Sequence, residues 1–119
     1  MSTDDMTFVE AVREGCRIAP RKITFGLINT SDTKPVGACV VGAAMLGALG
    51  TTDYVHDILS CAFPWLLNND KANGCPECGA AVWVWGFFDL AVHLNNHHDW
   101  SRLRIARFIE SAAKKAGAL

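Results

Sequence analysis

No stretch of this 119-residue chain is long and apolar enough to cross a membrane. The longest nearly uncharged run, "VGACVVGAAMLGALG" from Val36 to Gly50, is 15 residues rich in Gly and Ala, short of the roughly 20 that a spanning helix needs. It reads as a buried helix. The opening "MSTDDMTF" has no basic residue ahead of an apolar run, so it does not read as a secretory signal, and a cytoplasmic protein with no membrane partner is expected. Net charge is nearly missing as well. A formal balance of −1 excludes a globally basic nucleic-acid binder, and an apolar fraction of 50% excludes a disordered chain. There is no internal repeat and no low-complexity segment. The five cysteines, Cys16, Cys39, Cys61, Cys75 and Cys78, are odd in number, and in a reducing compartment they are candidates for metal or burial and not for disulfides.

What is present points to a single small domain, mainly α, with at most a short β element and a modest core. Thr7-Phe8-Val9-Glu10 has the form of a capping box, and Phe8, Ala11, Val12, Cys16 and Ala19 follow it at helical spacing until Pro20 stops the ladder. A strand is expected from Ile23 to Ile28, before the turn formers "NTSDTKPVG", read as a loop. The Gly- and Ala-rich segment from Ala38 to Leu49 is the expected central helix, its small residues letting another backbone approach. A further helix through "DYVHDILSCAF" is expected to stop at Pro64, with Val55, Ile58, Leu59 and Ala62 inward. The run from Val84 to Asn95 fits either periodicity, with helix favoured. Ser101 caps a last helix with Ile105, Phe108, Ile109, Ala112 and Ala116 inward.

"NGCPECGAAVWVWGFFDLAVHLNNHHDW", residues 73–100, carries the chemistry. In Cys75-Pro76-Glu77-Cys78-Gly79 the proline stiffens the backbone and the glycine permits a tight turn whose amides donate to thiolates. Two sulfurs at this spacing reach one tetrahedral ion. His93, His97 and His98 follow Cys78 after 14, 18 and 19 intervening residues, within the range of a zinc-binding Cys2His2 set. An unbroken helix would put His97 on the face of His93, whereas a chain reversal at Asn95 or Asn96 would bring His98 to the ion. Spacing leaves both open. A redox dithiol would call for a βαβ pattern, which is missing, and four protein ligands leave no open position for catalysis, so the expected zinc staples the C-terminal half of the fold.

"HLNNHHDWSRLRIARFIE" is similar to HLND-x-H-x-W-S/T-R-x-x-I-A, a motif near the C-terminus of small bacterial and phage proteins of uncharacterised function. "FVEAVREGCRIAP" and "GACVVGAAMLGALG" resemble their opening helix and their Cys-x-x-Gly-Ala-Ala segment. The resemblance implies His93 and His98 as the histidines of the motif, beside Asn95, Trp100, Ser101, Arg102, Ile105 and Ala106. Asn96 stands where the motif has Asp. It carries no activity, and it tilts the fourth ligand toward His98.

The function expected is a zinc-stabilised interaction module, non-catalytic, that self-associates or binds another macromolecule, with four tryptophans and Leu103 as contact candidates. Trp100, Ser101 and Arg102 form a clamp or interface. A cation in the first turn of a helix is unfavourable, so Arg102 is expected to pack over the metal-side segment with a specific partner, Asp89, Asp99 or a tryptophan face. Two alternatives stand beside this reading. One is a nucleic-acid-binding regulator using "SRLRIARFIESAAKK", with five basic residues and one acid. The other is a thiol hydrolase with Cys39 as nucleophile, His93 or His98 as base and Asn95 orienting it.

Overall fold

Thr7 starts the first helix, α1 (Phe8–Ile18), through a complete capping box: the Glu10 amide donates to its hydroxyl while the Glu10 carboxylate accepts from the Thr7 amide. In the computed structural model, which describes residues 6–50, 62–67, 74–79 and 86–119, α1 buries Phe8, Ala11, Val12 and Gly15. It packs against the central helix α2 (Val40–Leu49), which begins at Cys39 and ends at Gly50 with φ 72°. The two backbones nearly touch. A Cβ on Gly15 would lie 1.8 Å from the Ala43 carbonyl oxygen, and one on Gly47 would lie 1.8 Å from that of Ala11.

Between these helices lie three short strands, β1 (Arg21–Lys22), β2 (Ile28–Ser31) and β3 (Lys34–Ala38), in the order β1-β3-β2. The strand expected over Ile23–Ile28 is not formed, because residues 23–27 arch away from the sheet. Ile23 donates to the Ala38 carbonyl and Leu27 accepts from the Cys39 amide, so both feet of the arch stand at the junction of β3 and α2. Phe25 at its crest has φ 56°, outside the β region. Strands β2 and β3 instead span "NTSDTKPVG", read above as a loop. Asp32 and Thr33 have φ of 52° and 66°, the two positive values of a two-residue hairpin turn, although neither is the glycine that usually marks one. Pro35, unable to donate to a ladder, lies beside a register irregularity at Asn29/Thr30.

Pro64 opens a 3-10 turn, Pro64–Leu67, that buries Trp65 and Leu66. The helix expected before it lies outside the described residues except for Ala62 and Phe63. The ambiguous C-terminal segment is helical as α3 (Phe87–His97), and α4 (Arg102–Lys115) follows with Ser101 accepting from the Arg104 amide. On α4 the fully buried positions include Ala106 and Ala113, whereas Phe108, Ala112 and Ala116, expected inward, are half-buried. Glu110 of α4 accepts from the Phe8 and Val9 amides, closing the open end of α1 from across the core. The expected mainly α domain with a short β element is therefore what forms. No helix among the described residues is long and apolar enough to cross a membrane.

Candidate metal centre

The knuckle Cys75–Gly79 turns tightly. Gly79 has φ 73° and donates to the Cys75 carbonyl, and the Glu77 amide points at the Cys75 sulfur from 3.4 Å. Across from it, α3 ends immediately after His97, and His98 is already extended at φ −134°, ψ 157°. That break answers the question left open by spacing. The extended residue turns the His98 ring back beside His93, one face of the helix supplying His93 and the first residue beyond it supplying His98.

Four donor atoms converge: Cys75 Sγ, Cys78 Sγ, His93 Nε2 and His98 Nε2 all lie within 4.8 Å of one another. Cys75 Sγ is 3.3 Å from His98 Nε2, Cys78 Sγ is 3.3 Å from His93 Nε2, and the two Nε2 atoms are 3.2 Å apart. A tetrahedral zinc with ordinary bond lengths would space nitrogen and sulfur about 3.5 Å apart and two nitrogens about 3.3 Å apart. The three separations are close to those edges. Each nitrogen approaches two other donors at once, His98 Nε2 meeting Cys75 Sγ, His93 Nε2 meeting Cys78 Sγ and the two nitrogens meeting each other, so the arrangement focuses on a point and is not a set of separate hydrogen bonds. Burial, followed by the proximity of His98 and His97, pushes His93 below the usual histidine range toward the neutral form that ligates metal.

His97 is outside this set. It is exposed, its ring 5.1 Å from that of His93 and edge-on to Phe25 at 5.4 Å. The position is one helical turn from His93, as spacing allows, but the helix keeps it on the outer side.

Trp100 and Asn95, both named in the sequence, hold the centre in place together with Lys22 and Arg104, which were not. Trp100 Nε1 donates to Glu77 in the knuckle at 2.7 Å, and the Arg104 guanidinium lies 3.7 Å above the Trp100 ring and 3.8 Å from Glu77. The cation on tryptophan is thus Arg104. The Lys22 ammonium donates to the Trp100 carbonyl at 2.8 Å and reaches that of His98 at 3.5 Å, fixing the extended strap that carries His98. Asn95, 1% exposed, accepts from the Val40 amide at the start of α2 and donates to the Ile23 carbonyl and to Asn96, which in turn accepts from the Phe25 amide. Its signal in the sequence was a polar residue on the apolar stripe Phe87, Leu90, Ala91, Leu94.

Arg102 is a clamp, but not on the metal side and not on Asp89, Asp99 or a tryptophan. Its Nη1 donates to the Ala19 and Ala38 carbonyls at 2.7 and 3.2 Å and its Nη2 to that of Pro20 at 2.6 Å. The physical reason is the end of α1: the chain leaves the helix at Pro20 and runs into β1, stranding carbonyls that a fork of N–H groups satisfies. Cys39 is no activated nucleophile. It is buried, its sulfur accepts from the Gly42 amide, and burial pushes its thiol up. Asn95, cast as orienting the base, is engaged with the Val40 amide, the Ile23 carbonyl and the Asn96 side chain.

No protein-family model matches the chain, and no curated protein or solved structure matches it either.

Proposed function

We propose that this protein is a small zinc-stapled interaction module, non-catalytic, that works by contact with a second copy of itself or with another protein. The observation that carries it is the convergence of Cys75, Cys78, His93 and His98, four soft or borderline donors that suit zinc and complete its coordination, leaving no place for substrate. For contact, the best-supported surface is the arch. Phe25 is 72% exposed in a left-handed conformation that side chains avoid, held by the Asn96 hydrogen bond beside an apolar groove of about 270 Å³ that includes Leu27, Phe88 and Val92. The tryptophans support the contact reading less, since the two described ones, Trp65 and Trp100, are buried, and Leu103 is half-buried against the core. Of the cations of the basic helix, Arg104 is engaged with Trp100 and Glu77, whereas Arg107, Lys114 and Lys115 are exposed.

Elemental analysis of protein purified without added metal tests the staple, with about one zinc per chain expected from a single four-ligand site. A fully folded, metal-free protein overturns it. Sedimentation of the parent beside Phe25→Ser tests the contact surface: the variant keeps its zinc and loses mass in solution, and a parent that is monomeric and binds no protein partner removes that half of the reading.

A further inference from the structure

A second polar site adjoins the 98–101 strap, sharing Lys22 and Ser101 with it and none of the four donors of the metal centre. A cavity of about 290 Å³ is lined by Cys16, Pro20, Lys22, Ser101, Arg102 and Leu103, with two cations and no carboxylate among them. Arg102 is only 6% exposed. Its three hydrogen bonds go to neutral carbonyls, and so do those of Lys22. Such bonds satisfy N–H groups and leave the formal charge of both side chains uncompensated, a costly arrangement for a buried guanidinium. Among the described residues the ion pairs are Arg17 with Glu14 and Arg104 with Glu77, so neither cation of the cavity has an anionic partner there.

We propose that this cavity binds a small tetrahedral oxyanion, either inorganic phosphate or the phosphate of a small phosphomonoester. Three of the five guanidinium N–H groups are committed to carbonyls and two of the three ammonium ones, which leaves donors on both cations. Ser101 Oγ accepts from the Arg104 amide and keeps its own hydrogen to give. The opening turn of α4 adds the positive end of its dipole to the same wall. Guanidinium, ammonium and hydroxyl thus offer hydrogen bonds from three side chains, which the several oxygens of a phosphate accept and the two of a carboxylate serve less well. Cys16 also lines the cavity; burial pushes its thiol up, and the nearby Arg102 charge opposes the shift.

The test is a titration of the full metal-loaded chain with inorganic phosphate, then with glycerol 3-phosphate, at constant ionic strength and followed by amide chemical shifts. Saturating shifts at Arg21, Lys22, Arg102 and Leu103 are expected, with affinity falling about tenfold in Lys22→Gln, the scale of one lost charge-assisted bond. Arg102→Lys, which keeps charge and loses the fork, is expected to weaken binding as well, and if it does not fold the Lys22 variant decides alone. Either order of affinity between the two ligands upholds the site and says which source of phosphate fits. Shifts that never saturate, that centre on Cys78 and His93, that acetate reproduces, or that survive unchanged in Lys22→Gln overturn it.

Discussion

His97 and His98 are neighbours with the same chemistry, and the end of a helix separates their roles. His98→Ala removes one of four converging donors, so zinc release and a much lower melting temperature are expected in elemental analysis and calorimetry; His97→Ala is expected to keep its metal and melt as the parent. The reverse outcome would mean that α3 runs on through His98. Arg102 follows a different logic. Arg102→Met keeps the stem but strands the Ala19 and Pro20 carbonyls, whereas that of Ala38 keeps the Ile23 amide, a loss of about 3 kcal/mol by denaturant titration at fixed zinc. A variant as stable as the parent would place Arg102 on a working surface and not in the frame. The first two roles were partly legible: the cysteine spacing and the histidine count named the donors, and a cation in a first helical turn announced a partner. Which partner was not legible, since backbone carbonyls carry no letter in a sequence.

At the scale of elements, the pair α1 and α2 rests on absent side chains. Gly47→Ala would place a Cβ 1.8 Å from the Ala11 carbonyl oxygen, where backbone and not a flexible side chain must yield. A loss of about 3 kcal/mol or more is expected by thermal and denaturant unfolding, the upper end for overpacking, although alanine favours helix elsewhere. Ser101→Ala is a milder change at an exposed cap, about 1 kcal/mol. The strands show where element reading stops. "KITFGLIN" has strand composition, yet Ile23 and Leu27 are both tied to the Ala38–Cys39 junction, which forces an arch. The hairpin hid behind Asp32-Thr33, a turn without glycine.

Across the molecule, three links join the candidate metal centre to the rest: Glu77 to Trp100 and Arg104, Lys22 to the strap at His98 and Trp100, and Asn95 to the start of α2. Removing metal therefore releases more than the knuckle. Chelation is expected to speed amide exchange over residues 74–79 and 96–104 by orders of magnitude while the tightly packed α1 and α2 exchange last, as read by hydrogen-exchange mass spectrometry. Uniform protection before and after chelation would show that hydrogen bonds alone hold the donor cluster together.

The sequence by itself determined the helical periodicity, the capping signals at Thr7 and Ser101, and three of the four clustered donors, Cys75, Cys78 and His93, with two histidines open for the fourth. Each of these is local, set by side-chain chemistry within a turn or two of chain. Only the tertiary structure decided that His98 and not His97 faces the cysteines, that Arg104 and not Arg102 rides on Trp100, and that Asn95 is a strut between three segments. Those outcomes depend on where the chain bends and which backbone groups are stranded when distant segments meet, quantities that belong to the packed molecule and have no period in the sequence.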